Sequence, residues 1–320
     1  MFVVKYRKIF FLFSAVLIAL SVYGIVVYGF NYSIDFKGGT LTEVKYNTNA
    51  PSLDTINTNI AKLNLGGFSV RPSGENDFII RTAELSAEDR ARLLGAISLL
   101  PGATANNLVL NTPIVERQDT IGPIAGAELK SKAIKAIAVV VIMIVLFITF
   151  AFRKVSHYDL SKSHSGVPSW KYGLATVIAL AHDVIIPTGI FVFLGHFKGI
   201  EIDLLFVTGL LAILGYSVHD TIVVFDRVRE NLKINREVGT KEEFETTVGK
   251  SVAQTFGRSI NTSLTIFITL LALFLVGSGA TKDFALLLII GVIVGTYSSI
   301  FVASPLLVTF QKWQSKGKQL

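Results

Sequence analysis

Two aspartates and an arginine stand in stretches otherwise suited to lipid. Asp220 lies inside the apolar run from Asp203 to Phe225, and Arg258 opens the next one. An ionised side chain at bilayer depth costs roughly 2.5 to 3.5 kcal/mol or more, so helices that keep one generally use it to move ions or protons. A second deep pair, His182 and Asp183, falls near the middle of the run from Tyr172 to Leu194. Pro187 follows Asp183 by one helical turn and has no N–H, so the Asp183 carbonyl loses its helical partner and a kink is expected there. Proton transfer is the chemistry these residue types support: carboxyls that titrate, imidazoles that exchange tautomers, and a fixed arginine charge that biases both. The competing readings are a static salt bridge at Asp220 and Pro-induced packing at Asp183.

Spacing extends the first of these sites. Ser217, Tyr216 and Gly209 share the helical face of Asp220, and such a small, polar stripe faces protein or water. Asp220 lies shortly before the end of its run and Arg258 at the start of the antiparallel one, so the two share a depth and an ion pair is expected. Thr262, Thr265 and Thr269 continue from Arg258 as a hydroxyl line, able to support a relay or to serve as interhelical glue. His182 and His219 each precede an aspartate, an arrangement that also invites a metal. Neighbouring helical residues point about 100° apart, so neither dipeptide converges on one ion and no metal is expected. An intramembrane aspartyl protease would use two such carboxyls, but its Gly-x-Gly-Asp signature is missing at both positions.

Positioning these groups requires membrane spans. Hydrophobic residues make up 51% of the 320, more than a soluble core needs. Six runs are long enough to cross about 30 Å of hydrocarbon: Ile9 to Phe30, Ala133 to Phe152, Tyr172 to Leu194, Asp203 to Phe225, a short Ile260 to Val276, and Phe284 to Phe310. Lys and Arg crowd the N-terminus, the 153–171 and 226–259 loops and the 311–320 tail, while the opposite short loops hold only Lys198 and Lys282. Both termini are therefore expected in the cytoplasm, with residues 31–132 across the membrane as a separate domain. The first run is too long for an ordinary signal core and no cleavage pattern follows it. A net charge of +7 lies mostly in the inner loops, where topology and anionic lipid account for it without nucleic acid. The absence of cysteine excludes disulfides and thiol chemistry.

The polar segment reads as strand, helix, two strands, helix, strand: 40–46, 52–63, 68–71, 77–82, 86–100 and 108–116. This βαββαβ order predicts a ferredoxin-like α+β sandwich. Ser52 and Ser86 are placed to cap the two helices. No catalytic cluster is present, which leaves contact with another polypeptide or a plain spacer as its role. Gly38 and Gly39 permit positive φ where the chain turns into the domain, as a hinge or a simple turn. Asp226, Arg227, Arg229 and Glu230 suit a solvated inner helix touching lipid headgroups.

Four motifs together bear a family likeness: Asp35-Phe-Lys-Gly-Gly-Thr40, Ala181-His-Asp183, Gly215-Tyr-Ser-Val-His-Asp-Thr through Asn231, and Arg258-Ser-Ile-Asn-Thr-Ser263. The chain resembles the SecF family of protein-export membrane subunits, within the RND superfamily. That resemblance implies six spans with one external domain, no enzymatic activity, no cofactor, and residence in the bacterial inner membrane. It implies SecD, the SecYEG translocon and exported preprotein as partners, with YajC, YidC and membrane lipids as further ones. Asp220 and Arg258 would carry protons, Asp183 would line the same interior, and Phe36, Gly38 and Gly39 would couple the domain to the spans. The family commonly reads Ser-Ile-Asn-Asp-Thr where this chain has Ser-Val-His-Asp-Thr, so His219 is a departure. A proton-coupled RND exporter of lipids or small molecules and a passive translocon scaffold are the alternatives.

Overall fold

The computed structural model describes residues 2–47, 50–74, 76–98, 111–151, 168–240 and 242–316. In chain order they form α1 (Phe2–Lys5), α2 (Arg7–Tyr28), α3 (Ile34–Lys37), β1 (Gly39–Lys45), α4 (Leu53–Ala61), β2 (Phe68–Pro72), β3 (Asp77–Thr82), α5 (Ala87–Ile97) and β4 (Ile114–Ile121). Then follow α6 (Pro123–Ala151), α7 (Ser169–Lys198), α8 (Leu204–Glu237), α9 (Phe244–Val276) and α10 (Gly279–Ser298), which runs through a π-helical turn (Ser299–Ala303) into α11 (Ser304–Lys316). Among the described residues six helical stretches are long and apolar enough to cross a membrane. The chain is a multi-pass membrane protein with a small sheet domain between its first and second spans.

Local chemistry explains most boundaries. Asp203 caps α8 by accepting the Phe206 N–H at 2.7 Å, and Gly199 ends α7 in the left-handed region that glycine adopts freely. The second span starts at Pro123, well before its apolar run: proline suits a first helical position, and Glu128 with Lys132 at 2.8 Å supports the polar turns. The fifth span, read as short, belongs to a helix that begins at Phe244 and carries polar Glu245, Lys250 and Gln254 ahead of the apolar stretch. Helix α7 continues through Pro187. Arg153, Lys154 and Lys162, which weighed in the orientation, lie outside the described residues.

The sheet runs β2-β3-β1-β4 with every neighbouring pair antiparallel, as the ferredoxin-like order requires. Ser52 and Ser86 cap α4 and α5 through the N–H groups of Thr55 and Asp89. Val44, Phe78 and Ile80 on one face of the sheet pack against Ile56, Ile60, Leu93 and Ile97, each buried isoleucine contributing about 1.5–3 kcal/mol. The last strand differs from its expected 108–116. It runs Ile114–Ile121, because β1 fixes the register up to Gly39 opposite Ile121, immediately before α6. Its Glu116 to Asp119 stretch is exposed on both faces, so no alternation marked it. Residues 108–110 lie outside the described residues.

Helices α7, α8 and α10 with its continuation form the interior of the membrane part, while α2, α6 and α9 are largely exposed. Two apolar clusters fill that interior, one around Leu214, Val218, Phe225 and Ile300, the other around Phe191, Phe206, Leu210 and Leu287. On α7 and α10 a polar layer lies between them, while Val184 packs against both.

Candidate functional site

Asp183 sits at the centre of that layer with no solvent exposure. Its Oδ2 accepts hydrogen bonds from Ser217 of α8 and from Ser298 of α10, the latter at 2.8 Å, and its Oδ1 lies 2.9 Å from His182 Nδ1. Three donors from three helices thus replace the water a carboxylate would otherwise require. Helix α10 comes this close because Gly295 faces Ser217: a Cβ there would fall 3.1 Å from that of Ser217. The buried His182 ring stacks on Tyr297 at 5.9 Å, and its Nε2 has no partner among the described residues.

Asp220 is buried one helical turn from Ser217, and its surroundings differ from expectation. Its Oδ1 accepts the Ser259 hydroxyl at 2.6 Å, and its Oδ2 has no partner among the described residues. Arg258 is exposed and makes no ion pair within 4 Å of a described carboxylate, though its charge still acts on Asp220; the direct bond to Asp220 comes from the next residue, Ser259. The hydroxyl line is corrected in the same way. Thr262 is exposed, and Thr265 and Thr269 donate to carbonyls one turn back on the outer face of α9. The inward hydroxyls are Ser259 and Ser263. Ser263 meets Tyr216 and Thr296 at 2.6 Å each, closing a hydroxyl triangle among α8, α9 and α10. His219 is exposed, away from both carboxyls' hydrogen bonds. Gly209 faces Leu287 of α10 in close approach.

Thr296, Ser298 and Ser299 were not singled out from the sequence, and Ser259 and Ser263 entered only as part of the motif that opens the fifth span. Thr221 bonds to Ser299 at 2.8 Å, and Ser299 donates to the Ser217 carbonyl at 3.3 Å, so the last span ties both aspartate regions together. A polar break, Thr296-Tyr-Ser-Ser299, interrupts the last apolar run and was the available signal. The π-helical turn follows it. Pro305 offers no N–H to the Phe301 carbonyl, and the widened turn falls on that residue.

The coupling residues lie at the entrance to the sheet. Phe36 is buried and packs edge-on to Tyr32 at 5.9 Å. Gly38 and Gly39 adopt φ of 80° and 133°, and a Cβ on Gly39 would fall 2.5 Å from the Thr82 carbonyl oxygen. Both residues thus need glycine. Just beyond, Tyr32 bridges to Ile202, and Asp35 Oδ2 accepts the Leu204 N–H at 2.8 Å. Burial pushes the nearby Glu201 carboxyl up to about 7 and that of Asp203 up to about 6.

Comparison with known proteins agrees with this arrangement. Residues 168–313 match the protein export membrane protein SecD/SecF C-terminal family, and residues 23–50 match the SecD/SecF GG motif, which contains Gly38 and Gly39. The protein translocase subunit SecF of Thermobaculum terrenum is 37% identical over 98% of this chain and 94% of its own length. The chain belongs to the SecF family. The SecF of Anaerolinea thermophila is 33% identical over 97% of this chain and 95% of its own length. The crystal structure of SecDF, a translocon-associated membrane protein of Thermus thermophilus, superposes with a TM-score of 0.78 at 30% identity. It covers 98% of this chain, which spans 38% of the SecDF chain. This SecF-family chain therefore shares both its sequence and its fold with translocase subunits.

Proposed function

We propose that this chain works with SecD as one half of a proton-driven complex that draws exported polypeptide outward at the SecYEG translocon. The observation that carries the reading is the buried polar layer: Asp183 is tied by hydroxyls to α8 and α10, and Asp220 by the Ser259 hydroxyl to α9. Each carboxyl carries a different hydrogen-bond set when protonated, so proton arrival and departure favour different packings of α8, α9 and α10. One charge crossing about 100 mV supplies roughly 2.3 kcal/mol, enough to change a two-state ratio nearly fifty-fold. No covalent chemistry is involved.

The exposed face of α9 supports SecD as the cover. Arg258, Asn261 and Thr262 lie exposed along one helix at membrane depth, where lipid cannot satisfy them, whereas Thr265 and Thr269 bond to their own helix. Arg258 then meets its partner charge across that interface. The concentration of Lys and Arg at the termini and inner loops supports an inner-membrane orientation with both termini cytoplasmic. Preprotein is the cargo, YajC and YidC are accessory partners, and the inner arginines meet anionic lipid.

Export into membrane vesicles tests this. Asp220→Asn, at normal abundance and normal assembly with SecD, is expected to remove the stimulation of preprotein translocation by a proton gradient. Wild-type stimulation by that variant would favour the passive scaffold instead.

A further inference from the structure

One face of the sheet covers its own helices; the other looks toward the membrane part, and two arginines stand on it. Arg81 on β3 and Arg71 on β2 share that face, since Arg71 lies opposite Ile79 in the ladder, two residues from Arg81. Arg81 Nε lies 2.6 Å from Glu201 Oε2, and Arg71 Nη2 lies 2.5 Å from Asp283 Oδ2. All four side chains are largely withdrawn from solvent, at 13, 10, 16 and 20% exposure, unlike the surface pairs elsewhere on the chain.

The two acidic partners come from different places in the chain. Glu201 lies between α7 and α8, the helices that carry Asp183 and Asp220. Asp283 lies in the first turns of α10, the helix that carries Thr296 and Ser298. Arg71 also reaches the Gly199 carbonyl at 3.4 Å, so it touches both places. Gly279 lies under the same face, where a Cβ would fall 2.5 Å from Glu43 Oε1. A change in spacing between α8 and α10 therefore meets the sheet at two separate charges.

We propose that Arg81–Glu201 and Arg71–Asp283 form a two-point latch that holds the sheet domain on the α7–α8 and α9–α10 connections and passes their relative movement to it. The role in transport rests on the function proposed above; the latch itself does not, because docking is measurable without a gradient or a client. Partly buried charge pairs suit such a contact: removing one partner leaves the other uncompensated, whereas exchanging both restores the attraction.

The chain has no cysteine, so spin labels can be placed at will. Asp54→Cys on the sheet domain and Val276→Cys at the end of α9 are both exposed sites. In the full chain in lipid nanodiscs, the unaltered latch is expected to give one narrow inter-label distance. Arg81→Glu and Glu201→Arg are each expected to lose that single population and shift it to longer distances, and the double reversal to recover it. Should Arg81→Glu fail to fold, Arg81→Gln with the same labels is expected to give the same loss. Unchanged distances in the single variants, or no recovery in the double reversal, would overturn the latch. An unaltered chain that docks normally yet gives no gradient-driven export would instead count against the proton reading alone.

Discussion

A change of one position along α9 decides which hydroxyls take part. Thr262, Thr265 and Thr269 and the pair Ser259 and Ser263 both recur at helical spacing, so periodicity ranks them equally. Packing separates them: the face toward α8 holds the serines, and Ser263 completes the triangle with Tyr216 and Thr296. Ser263→Val is therefore expected to destabilise the isolated chain by about 0.5–1.5 kcal/mol, leaving Tyr216 with only its longer contact to Thr296. Thr262→Val is expected to leave that stability unchanged, and thermal unfolding of the two variants in detergent checks the contrast. Asp183 and Asp220 were legible because a carboxylate in an apolar run stands out alone. Their partners were not, since serine and threonine are ordinary in membrane helices. The expected Arg258 pair failed for the same reason the threonines did: depth was readable, but not which way the helix faces.

Elements were more legible than contacts. Strand alternation, helical periodicity and the Ser52 and Ser86 caps defined the sheet domain, whereas β4 was misplaced because its polar, twice-exposed residues have no alternation. One prediction belongs to this scale. At the entrance to β1, Gly39→Ala combines a φ that suits glycine with a clash against the Thr82 carbonyl. It is expected to cost more than about 1 kcal/mol in the stability of the sheet domain, measured by hydrogen exchange at β1 and β3 amides.

At the scale of the whole molecule, the interior and the exposed helices divide the labour. Helices α7, α8 and α10 enclose the carboxyls, α9 joins them with Ser259 and Ser263 while presenting its polar outer face to a partner, and the sheet rests on the connections between them. Six spans and one intervening domain were evident from hydropathy and charge, but the layer between the two apolar clusters exists only once helices distant in sequence are packed. The π-helical turn after Ser298 was half-hidden: Pro305 marks a lost hydrogen bond at Phe301, but not how the helix absorbs it. The account requires that this layer carry protons. Liposomes holding the chain together with SecD and a trapped pH dye measure that directly under an imposed potential. Wild-type protein is expected to acidify the lumen, with Asp220→Asn and Asp183→Asn each reducing the rate at least about tenfold, roughly the loss of 1.4 kcal/mol from the limiting step. Proton entry at the wild-type rate in both variants would contradict it.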